Sequence, residues 1–279
     1  MNASKTIGRI LFYLVVAVIL VYTLFPFYWA FRSSITPNNE LFTTPVSYWP
    51  SAPTLQNYRL VLRDGQFSHA LLNSTIVATS VTLLALVLGS MTAYALGRLK
   101  FRGRTPVMYI VLGMTAFPGI AILPALFQMT RQFGLYNTLG ALVFSYAVFT
   151  LPFTVWVLAS FFRAMPGELE EAAYVDGATP FQTFYRVMLP LVVPALVTTG
   201  LLAFIGAWNE FLFAISLAPS KRTVTNAIFS FAAKTTGGFE IPWGQIMAGT
   251  VVVTIPLVVL VLIFQRRILA GLTAGSVKG

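Results

Sequence analysis

The chain has 279 residues, 57% of them hydrophobic and only 9% charged. A soluble domain carries about 25% charged residues, so a water-soluble enzyme of this length is excluded; it could not clothe its surface. Lack of cysteine excludes disulfides, thiolate metal sites, Fe–S clusters and cysteine nucleophiles, and a single histidine, His69, argues against histidine metal sites. The net charge of +10 then becomes a question of where the bases sit along the chain.

About 20 consecutive apolar residues cross a bilayer as a helix. Six such runs occur, at roughly 8–31, 70–97, 107–129, 139–162, 191–218 and 244–265, which predicts an all-α integral membrane protein with six transmembrane helices. The first run is too long for a signal peptide, and no small-residue cleavage site follows Trp29-Ala30-Phe31-Arg32, so it is read as a retained helix. His69 stands at the head of the second run as an interfacial residue. Within that run Gly89, Ala93 and Gly97 recur every four residues, a small-residue stripe suited to close helix packing. Proline interrupts five runs, at Pro26, Pro118 and Pro124, Pro152, Pro194 and Pro256. Each removes a backbone donor and can bend its helix. A polar cavity between helices and simple kinks explain this equally well.

With the N-terminus inside, the inner connecting segments carry eleven of the 18 basic residues and the outer ones seven. The cluster Arg98, Lys100, Arg102 and Arg104 is the densest. Basic residues mark the cytoplasmic side, so both termini are expected in the cytoplasm, and the positive charge is mainly a topology signal.

The segment between the fourth and fifth runs holds half of the acidic residues: Glu168, Glu170, Glu171 and Asp176. Pro166 suits a helix start, the acids suit its first turn, and Gly177 suits its end. Thr179 with Gln182 forms a capping-box pattern around Pro180. Phe181, Phe184, Tyr185 and Met188 then share one helical face, and Pro190 closes the segment. Two short helices joined by a glycine turn are expected, outside the membrane. Surface helices that rest on lipid are usually basic. An acidic one avoids an anionic leaflet and suits a basic groove on a protein.

This segment resembles the EAA loop of binding-protein-dependent ABC importer permeases. The matching residues are Glu171-Ala172-Ala173, Gly177, Val187, Leu189 and Pro190, with valine where the family often has isoleucine. Asp176-Gly177-Ala178-Thr179-Pro180 and the tail Gly271-Leu272-Thr273-Ala274-Gly275-Ser276-Val277-Lys278-Gly279 are similar to the carbohydrate-uptake branch, the tail to the second permease subunit of maltose- and trehalose-type importers. The resemblance implies the type I ABC importer permease fold. It implies an N-terminal helix and extracytoplasmic loop over 1–66, a transmembrane core over 67–265 with the coupling loop at 166–190, and a cytoplasmic tail over 266–279. The implied partners are a second, homologous permease subunit, two copies of a cytoplasmic ABC ATPase, an extracytoplasmic sugar-binding protein and the lipid bilayer of a bacterial or archaeal cell membrane, with no nucleic acid.

By the same resemblance Glu170, Glu171, Ala172, Ala173, Asp176 and Gly177 form a coupling helix held in a cleft of the ATPase. Gly271, Thr273, Gly275 and Lys278 reach the interface between the ATPase subunits. Thr236, Gly237, Gly238 and Phe239, in an outer loop, enter the cleft of the binding protein. The residues themselves call for a separate motor. A phosphate-binding Walker loop needs Gly-Lys-Ser/Thr, and the five lysines follow Ser4, Leu99, Ser220, Ala233 and Val277. No cofactor is expected on this chain; ATP and Mg belong to the partner ATPase.

Glu210 is the single acid inside a run, in Trp208-Asn209-Glu210-Phe211. An ionisable group there should face the bundle interior or a cavity. Trp208, Asn209 and Glu210, with Tyr146 and Phe117, are candidates to line a sugar path, since aromatic faces and amide or carboxylate groups suit a polyhydroxylated ligand. A polar clamp between helices explains Glu210 as well. Transport of a di- or oligosaccharide such as maltose, maltodextrin or trehalose is the expected function. The alternatives are a stand-alone secondary transporter using Glu210 as a proton relay, or an ABC permease for a polyol, glycerol phosphate or another non-sugar solute. No Ser/His/Asp grouping or pair of intramembrane carboxylates supports an embedded enzyme.

Overall fold

A computed structural model describes residues 3–233 and 241–274, with side chains over 7–232 and 241–266. Its helices, in chain order, are α1 (Ala3–Ser34), α2 (Gln56–Arg63), α3 (Gly65–Arg98), α4 (Arg104–Thr115), α5 (Gly119–Gln132), α6 (Leu139–Ala164), α7 (Glu168–Val175), α8 (Pro180–Gln182), α9 (Leu189–Leu191), α10 (Val193–Asn209), α11 (Leu212–Leu217), α12 (Val224–Ala233) and α13 (Trp243–Ala274). A π-helical turn, Thr183–Met188, joins α8 to α9. Four helices, α1, α3, α6 and α13, are each long and apolar enough to cross a membrane. Two bent pairs bring the number to the expected six if each pair is one broken span.

The bends have a chemical cause. Between α4 and α5 the chain turns by 99°. Pro118 has no amide hydrogen to continue the helix, and its ring disfavours helical backbone at Phe117; it stands extended, at φ −65° and ψ 115°, ahead of α5. The third run is therefore two helices. The second pair, Pro180–Leu191 with α10, bends by 78°, and Pro194 lies in the first turn of α10, where a missing donor costs nothing. The fifth run, expected to be continuous to residue 218, stops at Asn209; Glu210 is extended and α11 begins at Leu212. Pro26, Pro152 and Pro256 lie inside their helices.

The chain divides into two compact units. The first comprises 1–68 and 228–255. Much of α1 presents apolar side chains outward, among them Ile7, Leu11, Val18 and Leu24, as a helix facing lipid or other apolar helices requires. Its C-terminal end is knitted by Asn57, whose amide donates to the Ser34 and Thr36 carbonyls at 3.1 and 3.3 Å. Ser34 Oγ and Tyr58 Oη are 2.7 Å apart. In the loop after α1, the hydroxyl and amide of Ser51 donate to the Glu40 carboxylate and hold its pKa below the usual carboxylate range.

The second unit comprises 69–227 and 256–279, and α6 is its spine, with α4 and α10 packed on it. The expected glycine stripe is used here. A Cβ on Gly89 would stand 2.8 Å from Thr154 Cγ2, and one on Gly97 3.0 Å from Phe162 Cβ and 3.2 Å from the Ala159 carbonyl; Ala93 between them is wholly buried. Absence of side chains on α3 is what lets α6 approach. The inner core of the unit gathers Tyr94, Leu158, Phe162, Phe184 and Met188.

Candidate functional site

The loop 166–190 folds by its own local chemistry. Three glutamates occupy the first turn of α7, where the helix dipole favours negative charge. Gly177 adopts φ +80°, a conformation that side chains disfavour, and so ends that helix. Thr179 Oγ1 accepts from the Gln182 amide while Gln182 Oε1 accepts from the Thr179 amide, the complete capping box. Past it the backbone widens into the π-helical turn. That turn splits the expected apolar face: Phe184 and Met188 are buried, while Phe181 and Tyr185 are exposed.

Two faces result. Glu168, Glu171, Ala172, Asp176 and Gly177 are exposed, with Val175 (87% exposed) and Tyr174 beside them. Glu170 and Ala173 turn inward instead. Arg98 Nε donates to Glu170 Oε2 at 2.6 Å with Nη2 2.5 Å from the same oxygen, and the Tyr94 hydroxyl donates to Oε1 at 2.8 Å. Arg98 Nη1 donates to the Met165 carbonyl at 2.9 Å. The Tyr94 ring also contacts Phe162 and Phe184, with centroids 5.6 and 5.1 Å away. In the sequence Arg98 marks topology alone, since no local pattern links residues 72 positions apart.

In the membrane part, Tyr146 and Glu210 meet. The Tyr146 hydroxyl donates to Glu210 Oε2 at 2.6 Å. The Phe213 and Ala214 amides, freed by the start of α11, donate to Oε1 at 2.8 Å and Oε2 at 3.0 Å. Thr225 Oγ1 donates to the Glu210 carbonyl at 2.7 Å. Glu210 thus caps α11 and pins α6, α10 and α12 at one point. Both residues also border a groove of about 390 Å³, lined by Phe149, Thr150, Phe153 and Gly206 among others. Phe117 borders a different groove, of about 430 Å³, which shares Phe149. Trp208 and Asn209 are not brought to either: Trp208 is buried and stacks on Phe204 at 5.6 Å, and Asn209 is exposed at the end of α10.

Thr236, Gly237, Gly238 and Phe239 lie outside the described residues, as do Gly275 and Lys278; Gly271 and Thr273 fall in the last turns of α13. Among the described residues no cluster of three or more potential metal ligands occurs.

Residues 85–273, covering both the loop and the membrane groove, match the family described as binding-protein-dependent transport system inner membrane component. The chain belongs to that family. It is 43% identical to the trehalose transport system permease protein SugB of Mycobacterium tuberculosis, over 92% of this chain and 93% of the relative. It is 40% identical to the trehalose/maltose transport system permease protein MalG of Thermococcus litoralis, over 99% of both chains. A chain from the crystal structure of a bacterial ABC transporter that imports the acidic polysaccharide alginate shares the fold, with a TM-score of 0.82 over 95% of this chain and 98% of that one at 22% identity. The protein is therefore a multi-pass inner membrane permease component of an ABC importer, working with a periplasmic binding protein and partner subunits. It is the transporting part and not a catalytic one, and the stand-alone secondary transporter is set aside.

Proposed function

We propose that this permease carries a disaccharide of the trehalose or maltose kind, paired with a second, similar permease subunit and driven by two copies of a cytoplasmic ATPase. The carrying observation is the two-faced loop at 166–190. Its acids Glu168, Glu171 and Asp176 are exposed beside Gly177, while Glu170, Ala173 and Phe184 root it in the chain. An exposed acidic and apolar knob on a firm base suits a basic cleft on a moving partner. Glu171 reaches a basic group there, Ala172 permits close approach and Gly177 supplies the turn. ATP and Mg are bound by the ATPases, whose closure draws two such loops together and rocks the spans as rigid bodies. Both termini lie in the cytoplasm. The tail from Gly271 to Lys278 extends toward the ATPase interface, and the outer loop containing Thr236 to Phe239 meets the binding protein.

The sugar class rests on the named substrates of the relatives and on the tail's likeness to maltose-type importers. The groove bordered by Tyr146, Phe149 and Phe153 contributes aromatic faces to the path, on which sugar rings stack. The test is co-purification in mild detergent, followed by reconstitution with the captured partners and a screen of solutes. Trehalose or maltose, presented on the binding protein, should stimulate ATP hydrolysis. Stimulation by glycerol phosphate or a polyol alone would overturn the sugar assignment, and solute movement by the isolated chain would overturn the coupled mechanism.

A further inference from the structure

We propose that Arg98 is the positioning residue of energy coupling: its guanidinium locks the coupling loop to α3 and α6, so that displacement of the loop moves those helices. The proposal rests on the reading that loop 166–190 docks on an ATPase. Three elements meet at this one side chain. Arg98 is the last residue of α3. It forks onto Glu170 in the first turn of α7 through Nε at 2.6 Å and Nη2 at 2.5 Å. It also reaches the carbonyls just past the end of α6, Met165 at 2.9 Å and Pro166 at 3.5 Å.

The surroundings make this junction stiff. Arg98 and Glu170 side chains are only 12% and 14% exposed, so little water competes for their contact, in which Nε and Nη2 converge on the one oxygen Oε2, and a charge-assisted bond is stronger than a neutral one. The Tyr94 hydroxyl takes the other carboxylate oxygen at 2.8 Å, and its ring sits in the Phe162–Phe184 cluster. Arg104 ties down the end of α3 by donating to the Leu96 and Gly97 carbonyls, both at 2.7 Å. Without Arg98, α7 would keep the Tyr94 hydroxyl contact and its buried Ala173, but it would lose the side chain that ties it at once to the end of α3 and to the carbonyls following α6. The division of acids agrees: Glu170 faces inward while Glu168, Glu171 and Asp176 remain exposed for a partner.

The test uses the whole reconstituted importer with Arg98→Gln, Glu170→Gln and the double variant. Three quantities are read: ATP hydrolysis, uptake of labelled trehalose (maltose if that sugar is the stimulating one), and cross-linking to the ATPase from Val175→Cys, a site 87% exposed. The expected result is retained hydrolysis and cross-linking with at least a fivefold fall in sugar moved per ATP. The double variant should be no worse than Arg98→Gln, because the Arg98–Glu170 contact is already lost in that single variant. An unchanged ratio overturns the proposal, as does a proportional loss of cross-linking, hydrolysis and uptake, which is a defect of assembly. No cross-link from the Val175→Cys chain without further change overturns the docking reading, and this proposal with it. Should Arg98→Gln fail to fold, Tyr94→Phe removes one bond of the junction; a twofold lower ratio supports the proposal and an unchanged one overturns it.

Discussion

Glu210 carries a charge into the membrane part and has it satisfied by one hydroxyl and two backbone amides. Glutamine offers one oxygen where the site uses two, and turns a donor toward an amide that is itself a donor. Hydrogen bonds to a charged group contribute about 1.5–3 kcal/mol each. Glu210→Gln should therefore lower the melting temperature in detergent while the order of sugars that stimulate hydrolysis stays the same; a changed order would mark Glu210 as a substrate contact. Gly177 poses a backbone problem. Nothing lies within 4 Å of its missing Cβ, yet its φ is +80°, and proline is held near −65°. Gly177→Pro should reshape the turn and abolish uptake while the chain still folds in the membrane, read as normal detergent extraction with no transport. Gly244 is the opposite case, set by space. Its Cβ would fall 2.5 Å from Asn57 Nδ2, and Asn57 is buried and bonded to two carbonyls. Gly244→Ala should cost about 1–3 kcal/mol through overpacking, seen as a lower melting temperature; Gly8→Ala, with open space around it, should not.

At the scale of the element, α3 and α6 are held together by what α3 lacks. Gly97 faces both a side chain and a carbonyl of α6 within 3.2 Å, so the helix cannot yield by a rotamer change alone. Gly97→Leu should push the two helices apart, destabilise the second unit and disturb the nearby Arg98 junction. Thermal unfolding should shift more for this change than for Gly113→Leu, since Gly113 has nothing within 4 Å. The bends between α4 and α5 and before α10 belong to the same scale. The first follows from the missing amide of Pro118 and its restriction of Phe117, while Pro194 sits in the first turn of α10, where proline suits a new helix start. The first turns the third run, which looks continuous, into two short helices; the second falls beside Pro190, where the loop is expected to close.

For the whole molecule, the lack of cysteine is an experimental asset. Single substitutions Ala52→Cys and Arg102→Cys place a reactive thiol on exposed positions of the connections after α1 and after α3, which the proposed orientation puts outside and inside. A membrane-impermeant maleimide added to intact cells should label the first and not the second. Labelling in the reverse pattern would invert the proposed orientation. The family places the chain in a complex with partner subunits, and its apolar α1 surface and exposed acidic knob suit membrane and protein neighbours respectively.

The sequence by itself determined whatever depends on neighbours a few positions apart: the apolar runs, the glycine stripe, the Thr179–Gln182 capping box and the turn at Gly177. Such features carry their physics locally, through helix spacing, caps and allowed backbone angles. Only the tertiary structure decided that Glu170 faces Arg98, that Glu210 caps a helix begun by its own chain break, and that Trp208 and Asn209 stand away from the groove of Tyr146. Those outcomes require helices distant in sequence to be brought side by side. Pairing across 72 or 64 residues leaves no periodicity to read, because it is set by which buried charge finds a partner once the spans have packed.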